Sequence, residues 1–527
     1  MNNLRQRFAR IKKWLLFSLM ATFMWGLAAH GYGFLHSSFT HDSLTEFNGA
    51  LFGNHFKLTS GRFISPIYRA VMRTPLTLPW MIGLLALLWI GLSVFLLVKI
   101  FRMDSKVLVA LTAGILSVNL TVSATAATFL HDFDCDMFAL LCAVLAVYLW
   151  RSHPRVWILG APFVMVSLAI YQSYITVSIS LAMFVCILRL LDGDSFQDVF
   201  KDGLKAIGML LLGGVLYGIG LKAAQRLTHI SLSSGNYNSL DKALELDWNT
   251  FVSLFQESYT KFYSRLVNAI SPFPSVTSKI STLLLVIACG ICAVGLLNRK
   301  VRWPEKLLCL CLILLLPPAM NLMHILTMGN AHELMLYAFW LTWLFVLLLA
   351  WHLVKWLKNG SFRLSIPGNP QLAEIPKYVC LLLVFVLIYS NVQTANAMYV
   401  KKDLEANAYR SLMTRVLYKI EDYDDYEPGS TPVAFIGTSD QINEVIPGFE
   451  NYRDPNGMYF ADVLVFMELD QCQAYFRYIL NNPMVFADYG KWQELKASET
   501  VAAMPCYPDD GCLQMVDGVL VVKLGEP

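Results

Sequence analysis

Eleven apolar runs, each near the length needed to cross a hydrocarbon core, constrain this chain more than any other feature. They fall at 14–29, 76–98, 107–129, 137–150, 156–171, 173–190, 206–224, 281–298, 306–325, 334–354 and 378–398. In lipid every backbone polar group must be satisfied internally, and long continuous apolar runs do so as helices. With 56% hydrophobic and 15% charged residues and a mean hydropathy of +0.50, the chain is a polytopic, mainly α membrane protein, so membrane lipids are partners. A formal charge of +3 without a polybasic tail argues against a nucleic-acid partner.

Basic connectors set the orientation. With the N-terminus in the cytoplasm, Lys99/Arg102/Lys106, Arg151/Arg155, Lys201/Lys205, Arg299 to Lys306 and Lys355/Lys358/Arg363 all fall inside. Gly26-Leu27-Ala28 reads as a small-x-small cleavage site, but this topology requires an uncleaved first span. The odd count sends residues 399–527 outside, beyond a transmembrane domain at 1–398. That outer part reads as a small α/β domain: a charged helix to Ile420, a strand at 433–437, a helix near 471–480 and a hairpin about Asp517-Gly518. Cys506 and Cys512, on the oxidising side, are candidates for a disulfide.

The same orientation gathers the reactive polar groups on the outer face, in loops 34–75, 130–136 and 225–280 and at two shorter breaks. Such groups at a bilayer boundary are costly unless paired or wetted, which points to a shared cavity. In the first loop His41-Asp42 with Glu46 precedes Arg62, Arg69 and Arg73, a pattern suited to a phosphate-linked substrate held in the bilayer. Asp42 reads as a general base; the same stretch also reads as a helix N-terminus. Arg69 and Arg73 read as one face of an interfacial helix over 63–72, gripping a phosphate or anchoring among headgroups. Asp132, Asp134 and Asp136 alternate, which places them on one side of an extended segment or in a partial helical cluster, able to bind a divalent cation or orient a sugar; Asp136 also reads as a cap. Tyr171, Gln172 and Tyr174 interrupt an apolar stretch with sugar-binding chemistry or as belt residues, and His332 and Glu333 carry the same ambiguity. Lys261 and Arg265 follow an aromatic run that fits a helix lying on the membrane.

The order of these parts resembles the type II Gtr serotype-converting glucosyltransferases, bacterial enzymes of the GT-C superfamily. It rests on Asp42, Gly61-Arg62, the acids from Asp132 to Asp136, the Tyr171-Gln172-Ser173-Tyr174 break and the closing Asp517-Gly518-Val519-Leu520-Val521-Val522-Lys523-Leu524. The resemblance spans most of the chain. It implies a GT-C-like domain in the bacterial inner membrane that transfers glucose from undecaprenyl-phosphate-glucose, a polyprenyl-phosphate-linked sugar donor, to a lipopolysaccharide O-antigen or similar surface polysaccharide at the periplasmic face. It places the catalytic acid at Asp42, where many enzymes of the class carry Asp-x-Asp or Asp-Glu and this chain has His41-Asp42. A polysaccharide or lipid transporter, an acyltransferase with His324 as base, and a GT-C enzyme using another sugar are the competing readings.

Overall fold

The computed structural model describes residues 2–36, 40, 44, 50–74, 77–153, 155–232, 246–298, 300–358, 374–437 and 469–526. Among them, nine helices are long and apolar enough to cross a membrane: Ile11–Leu35, Pro79–Ile100, Leu130–Ser152, Gln172–Asp192, Phe196–Thr228, Pro274–Leu296, Trp303–Met320, Tyr337–Lys358 and Ile375–Glu421. A tenth crossing is a broken pair, Lys106–Ser117 and Leu120–Thr128, bent by 42°. The expected run at 156–171 forms only the short helix Trp157–Ile170. At 1.5 Å per residue it reaches about 21 Å, less than a hydrocarbon core, and so differs from the expected full span.

The burial of each helix follows its composition. Tyr337–Lys358 is apolar on all sides and is buried almost throughout, which makes it the axis of the bundle. Phe196–Thr228 lies at the edge, with Leu204, Ile207, Leu211, Val215 and Ile219 forming an exposed stripe at helical spacing. Asn119 breaks the bent pair: its side chain accepts from the Val122 N–H and donates to the Ile115 carbonyl. The carbonyls freed one residue on are also satisfied, since Tyr337 Oη donates to Leu116 O at 2.7 Å and His30 Nε2 lies 2.8 Å from Ser117 O. A broken helix is tolerated in lipid only where neighbours take up the released groups in this way.

The last membrane helix runs on without interruption across residue 399, so that Ile375–Glu421 is one helix of 47 residues. Its far half carries Tyr409, Leu412, Met413, Val416 and Ile420 at 3–4-residue spacing, packed against a three-stranded sheet. In the sheet β3 (Val519–Lys523) is central, parallel to β1 (Val433–Ile436) and antiparallel to β2 (Leu513–Val516). Asp517 and Gly518 both have positive φ, as a two-residue hairpin turn requires. The expected Cys506–Cys512 disulfide is not formed. Both thiols are free, Cys512 buried and Cys506 directed to Glu526 Oε1 at 3.8 Å.

Substituting Tyr337→Phe removes the shorter of two hydrogen bonds to the Leu116 carbonyl and leaves Asn119 Nδ2 at 3.3 Å as its donor, which costs about 0.5–1.5 kcal/mol. The thermal midpoint of the detergent-solubilised protein should fall accordingly, with the helical circular dichroism of the folded state unchanged.

Candidate functional site

The helix Leu130–Ser152 begins before the acidic triplet, so Asp132, Asp134 and Asp136 occupy its first two turns rather than an extended strand. Helical geometry then separates them. Residues four apart share a face, whereas the residue between them points away. Asp132 takes an ion pair from Lys57, and Arg62 and Arg69 add to the positive field around it. Asp136 lies on the same face, within the fields of Arg62, Lys57 and Asp132. Asp134 faces elsewhere: Arg73 Nε reaches it at 3.0 Å and Tyr68 Oη donates to it at 3.2 Å. Trp89 Nε1 in turn donates to Tyr68 Oη at 2.8 Å, and burial pushes the Tyr68 phenol above its ordinary value. Phe129 stands at the cap position without a side-chain bond, so Asp136 is not a cap.

The cations arrive on two short helices, Ala50–Thr59 and Ile64–Met72, joined by Ser60-Gly61-Arg62. Gly61 has φ +75, and a Cβ there would stand 2.6 Å from Tyr217 Oη. The joint is held on both sides: Gln172 Nε2 donates to Ser60 O at 3.0 Å, and Tyr217 Oη donates to Gly61 O at 3.2 Å. This fixes the Arg62 guanidinium over the Tyr171 ring, 4.3 Å from its centroid. Tyr174 continues the aromatic contact to Tyr337 at 5.7 Å. The amide of Gln172 is therefore engaged by the loop.

A second cluster forms where Trp248–Val267 meets the turn at 329–339. Arg265 pairs with Glu333, whose Oε1 also accepts from Thr121 Oγ1 at 2.9 Å. Around this pair lies a cavity of about 270 Å³ lined by Lys261, Ser264, Asn268, Asn321 and His324 among others. Burial brings the Arg265 guanidinium down to about 10, which leaves it charged at neutral pH. Burial also lowers the His324 imidazolium, against the raising effect of Glu257 Oε2 at 3.4 Å. His332 opens the turn but does not line the cavity.

The described parts of the outer loops form two clusters rather than one shared cavity, and three further details differ from expectation. Arg73 is no headgroup anchor: the helix ends before it, and its side chain is 1% exposed against an Asp134 that is fully buried. The three carboxylates do not converge on a cation. Asp132 and Asp134 are each paired to a basic side chain, and among the described residues no three His, Cys, Asp or Glu are grouped to hold a metal. Lys57 was not anticipated; its only sequence signal is that it is the lone basic residue between the His41-Asp42 pair and Arg62. His41, Asp42 and Glu46 lie outside the described residues. Their described neighbours are anchored, since Thr40 Oγ1 donates to Thr128 O at 2.8 Å and Leu44 is buried in the core under the sheet.

Breaking the Arg73–Asp134 pair from one side, with Arg73→Ala or Asp134→Ala, should cost about 3–5 kcal/mol, because one buried charge is left alone. The double substitution Arg73→Met/Asp134→Leu should recover most of that loss in the same thermal-denaturation assay. Comparison with known proteins adds one finding. The family model described as Glucosyl transferase GtrII matches residues 31–350, more than half of the chain. No curated protein and no solved structure matches. The matched stretch contains both the Lys57–Asp132 cluster and the Arg265–Glu333 cavity, and the chain belongs to the glucosyl transferase GtrII family, and with it to the glucosyltransferases.

Proposed function

We propose that the chain moves a glucosyl residue from undecaprenyl-phosphate-glucose to a hydroxyl of a lipopolysaccharide O-antigen or similar surface polysaccharide, at the periplasmic face of the bacterial inner membrane. The observation that carries this reading is the cation cluster of Lys57, Arg62 and Arg69 at the head of a membrane-crossing helix. Cations placed there suit a phosphate that enters from lipid, and a phosphate-linked sugar is a ready-activated donor. An apolar groove supports the same reading. Ile175 and Ile179 line it with Ile207, Leu210, Leu211, Gly214 and Val215. Ile175 directly follows the turn whose Tyr171 lies under Arg62, so a prenyl chain in the groove has its head beside the cluster.

The orientation rests on charge. The helix that leaves the site at Ile175 ends at Asp192, where His352, Lys355 and Trp356 meet it. Basic connectors therefore occupy the end opposite the cluster, as a cytoplasmic face would have them. In the reaction the acceptor oxygen attacks the anomeric carbon as the bond from that carbon to the phosphate oxygen breaks. The acceptor proton passes to Asp42, aided by Glu46 and His41, and polyprenyl phosphate leaves with its charge offset by Lys57, Arg62 and Arg69. A single displacement inverts the anomeric centre. Thr40 anchored to Thr128, next to the acid helix, is what favours Asp42 as the base.

With purified protein, labelled undecaprenyl-phosphate-glucose and polysaccharide, Asp42→Asn should lower kcat by about 100-fold or more. Lys57→Ala and Arg62→Ala should each lower it by about 100-fold. Near-normal transfer by folded Asp42→Asn removes Asp42 as the base. Wild-type protein that transfers nothing from this donor overturns the donor assignment.

A further inference from the structure

The cavity around Arg265 and Glu333 has a chemistry unlike that of the phosphate cluster. Its two strongest charges cancel in an ion pair, and His324 faces the carboxylate of Glu257. Lys261 is the remaining lining cation. The surplus of the lining is that single charge, and the other polar groups around it are neutral. What remains is amide, hydroxyl and imidazole: Asn268, Asn321, Ser264 and His324 on one side, with Leu336 and Phe339 as an apolar wall. Arg265 Nε is buried with no hydrogen-bond partner among the described residues. Burial lowers the His324 imidazolium and so favours the neutral ring, which offers both a donor and an acceptor. Groups that can donate and accept, set beside an apolar surface, match the alternating hydroxyl and C–H faces of a pyranose. A volume of about 270 Å³ admits one sugar ring and excludes a long prenyl chain.

Its location fits a second substrate. The cavity wall at Leu336 adjoins Tyr337, which contacts Tyr174 at 5.7 Å; Tyr174 contacts Tyr171 at 6.0 Å, and Tyr171 lies under Arg62. Thr121, bonded to Glu333, sits on the helix that leads into the acid helix. The cavity is thus linked to the phosphate cluster through three successive aromatic contacts and shares no lining residue with it.

We propose that this cavity is the acceptor subsite, taking one neutral hexose unit of the polysaccharide through Ser264, Asn268 and His324. The assignment rests on the glycosyl-transfer reading above. Ser264 and Asn268 are exposed positions on the cavity rim, so their replacement tests recognition rather than folding.

In the transfer assay Ser264→Ala/Asn268→Ala should raise the acceptor KM at least tenfold, with the donor KM within twofold of wild type. An unchanged acceptor KM, or a raised donor KM, overturns the proposal. If wild-type protein transfers nothing from the lipid-linked donor, saturation-transfer NMR with oligosaccharide repeat units from the source bacterium decides the matter separately. Binding by wild type that the double variant loses sustains the acceptor subsite even as the donor reading fails. Equal binding by both, or binding by neither, overturns it.

Discussion

Three carboxylates in the first two turns of a membrane-crossing helix are the costliest arrangement in this protein, and its functional end is organised around meeting that cost. The cations that pair with these carboxylates come from a loop 61 to 75 residues upstream in the chain. Asp134 with Arg73 is a closed, buried pair that clamps the loop to the bundle. Asp132 and Asp136 face the other way, towards Lys57, Arg62 and Arg69, where cations outnumber the acids. One helical turn thereby separates two environments: one carboxylate holds the scaffold, and two face the cations Lys57, Arg62 and Arg69.

Gly61 lets the backbone turn sharply against Tyr217 and Gln172, which fixes Arg62 on Tyr171 without a large supporting domain. The outer sheet contributes differently. Its core buries Leu44 beside the continuation of the last membrane helix, and so restrains the loop from the far side while Thr40 restrains it from the near side.

The membrane architecture was legible because hydropathy is a local signal, and the eleven runs correspond to nine long helices, one broken pair and one short helix. The break at Asn119 was not, since two of the carbonyls it releases are met by His30 and Tyr337, residues far away in sequence. Alternation at Asp132, Asp134 and Asp136 fits an extended segment or a partial helical cluster, and the helix that begins at Leu130 selects the second, with Asp134 turned away from the other two. Arg73 looked like a headgroup anchor because nothing local shows that a carboxylate awaits it. Arg265 and Glu333 were each singled out, but their pairing across 68 positions is a tertiary fact that neither neighbourhood announces. Lys57 escaped notice because an isolated lysine carries no periodicity.

The central claim is that the cluster at Lys57, Arg62 and Arg69 holds the phosphate of a lipid-linked sugar. Electron cryomicroscopy of the protein in lipid nanodiscs with undecaprenyl phosphate bound tests it directly. The phosphate should lie within about 4 Å of Lys57 Nζ or the Arg62 guanidinium, the range of a close ion pair, with the prenyl chain leaving past Ile175. Phosphate density in the Arg265–Glu333 cavity instead, with the Lys57 cluster empty, would contradict the account.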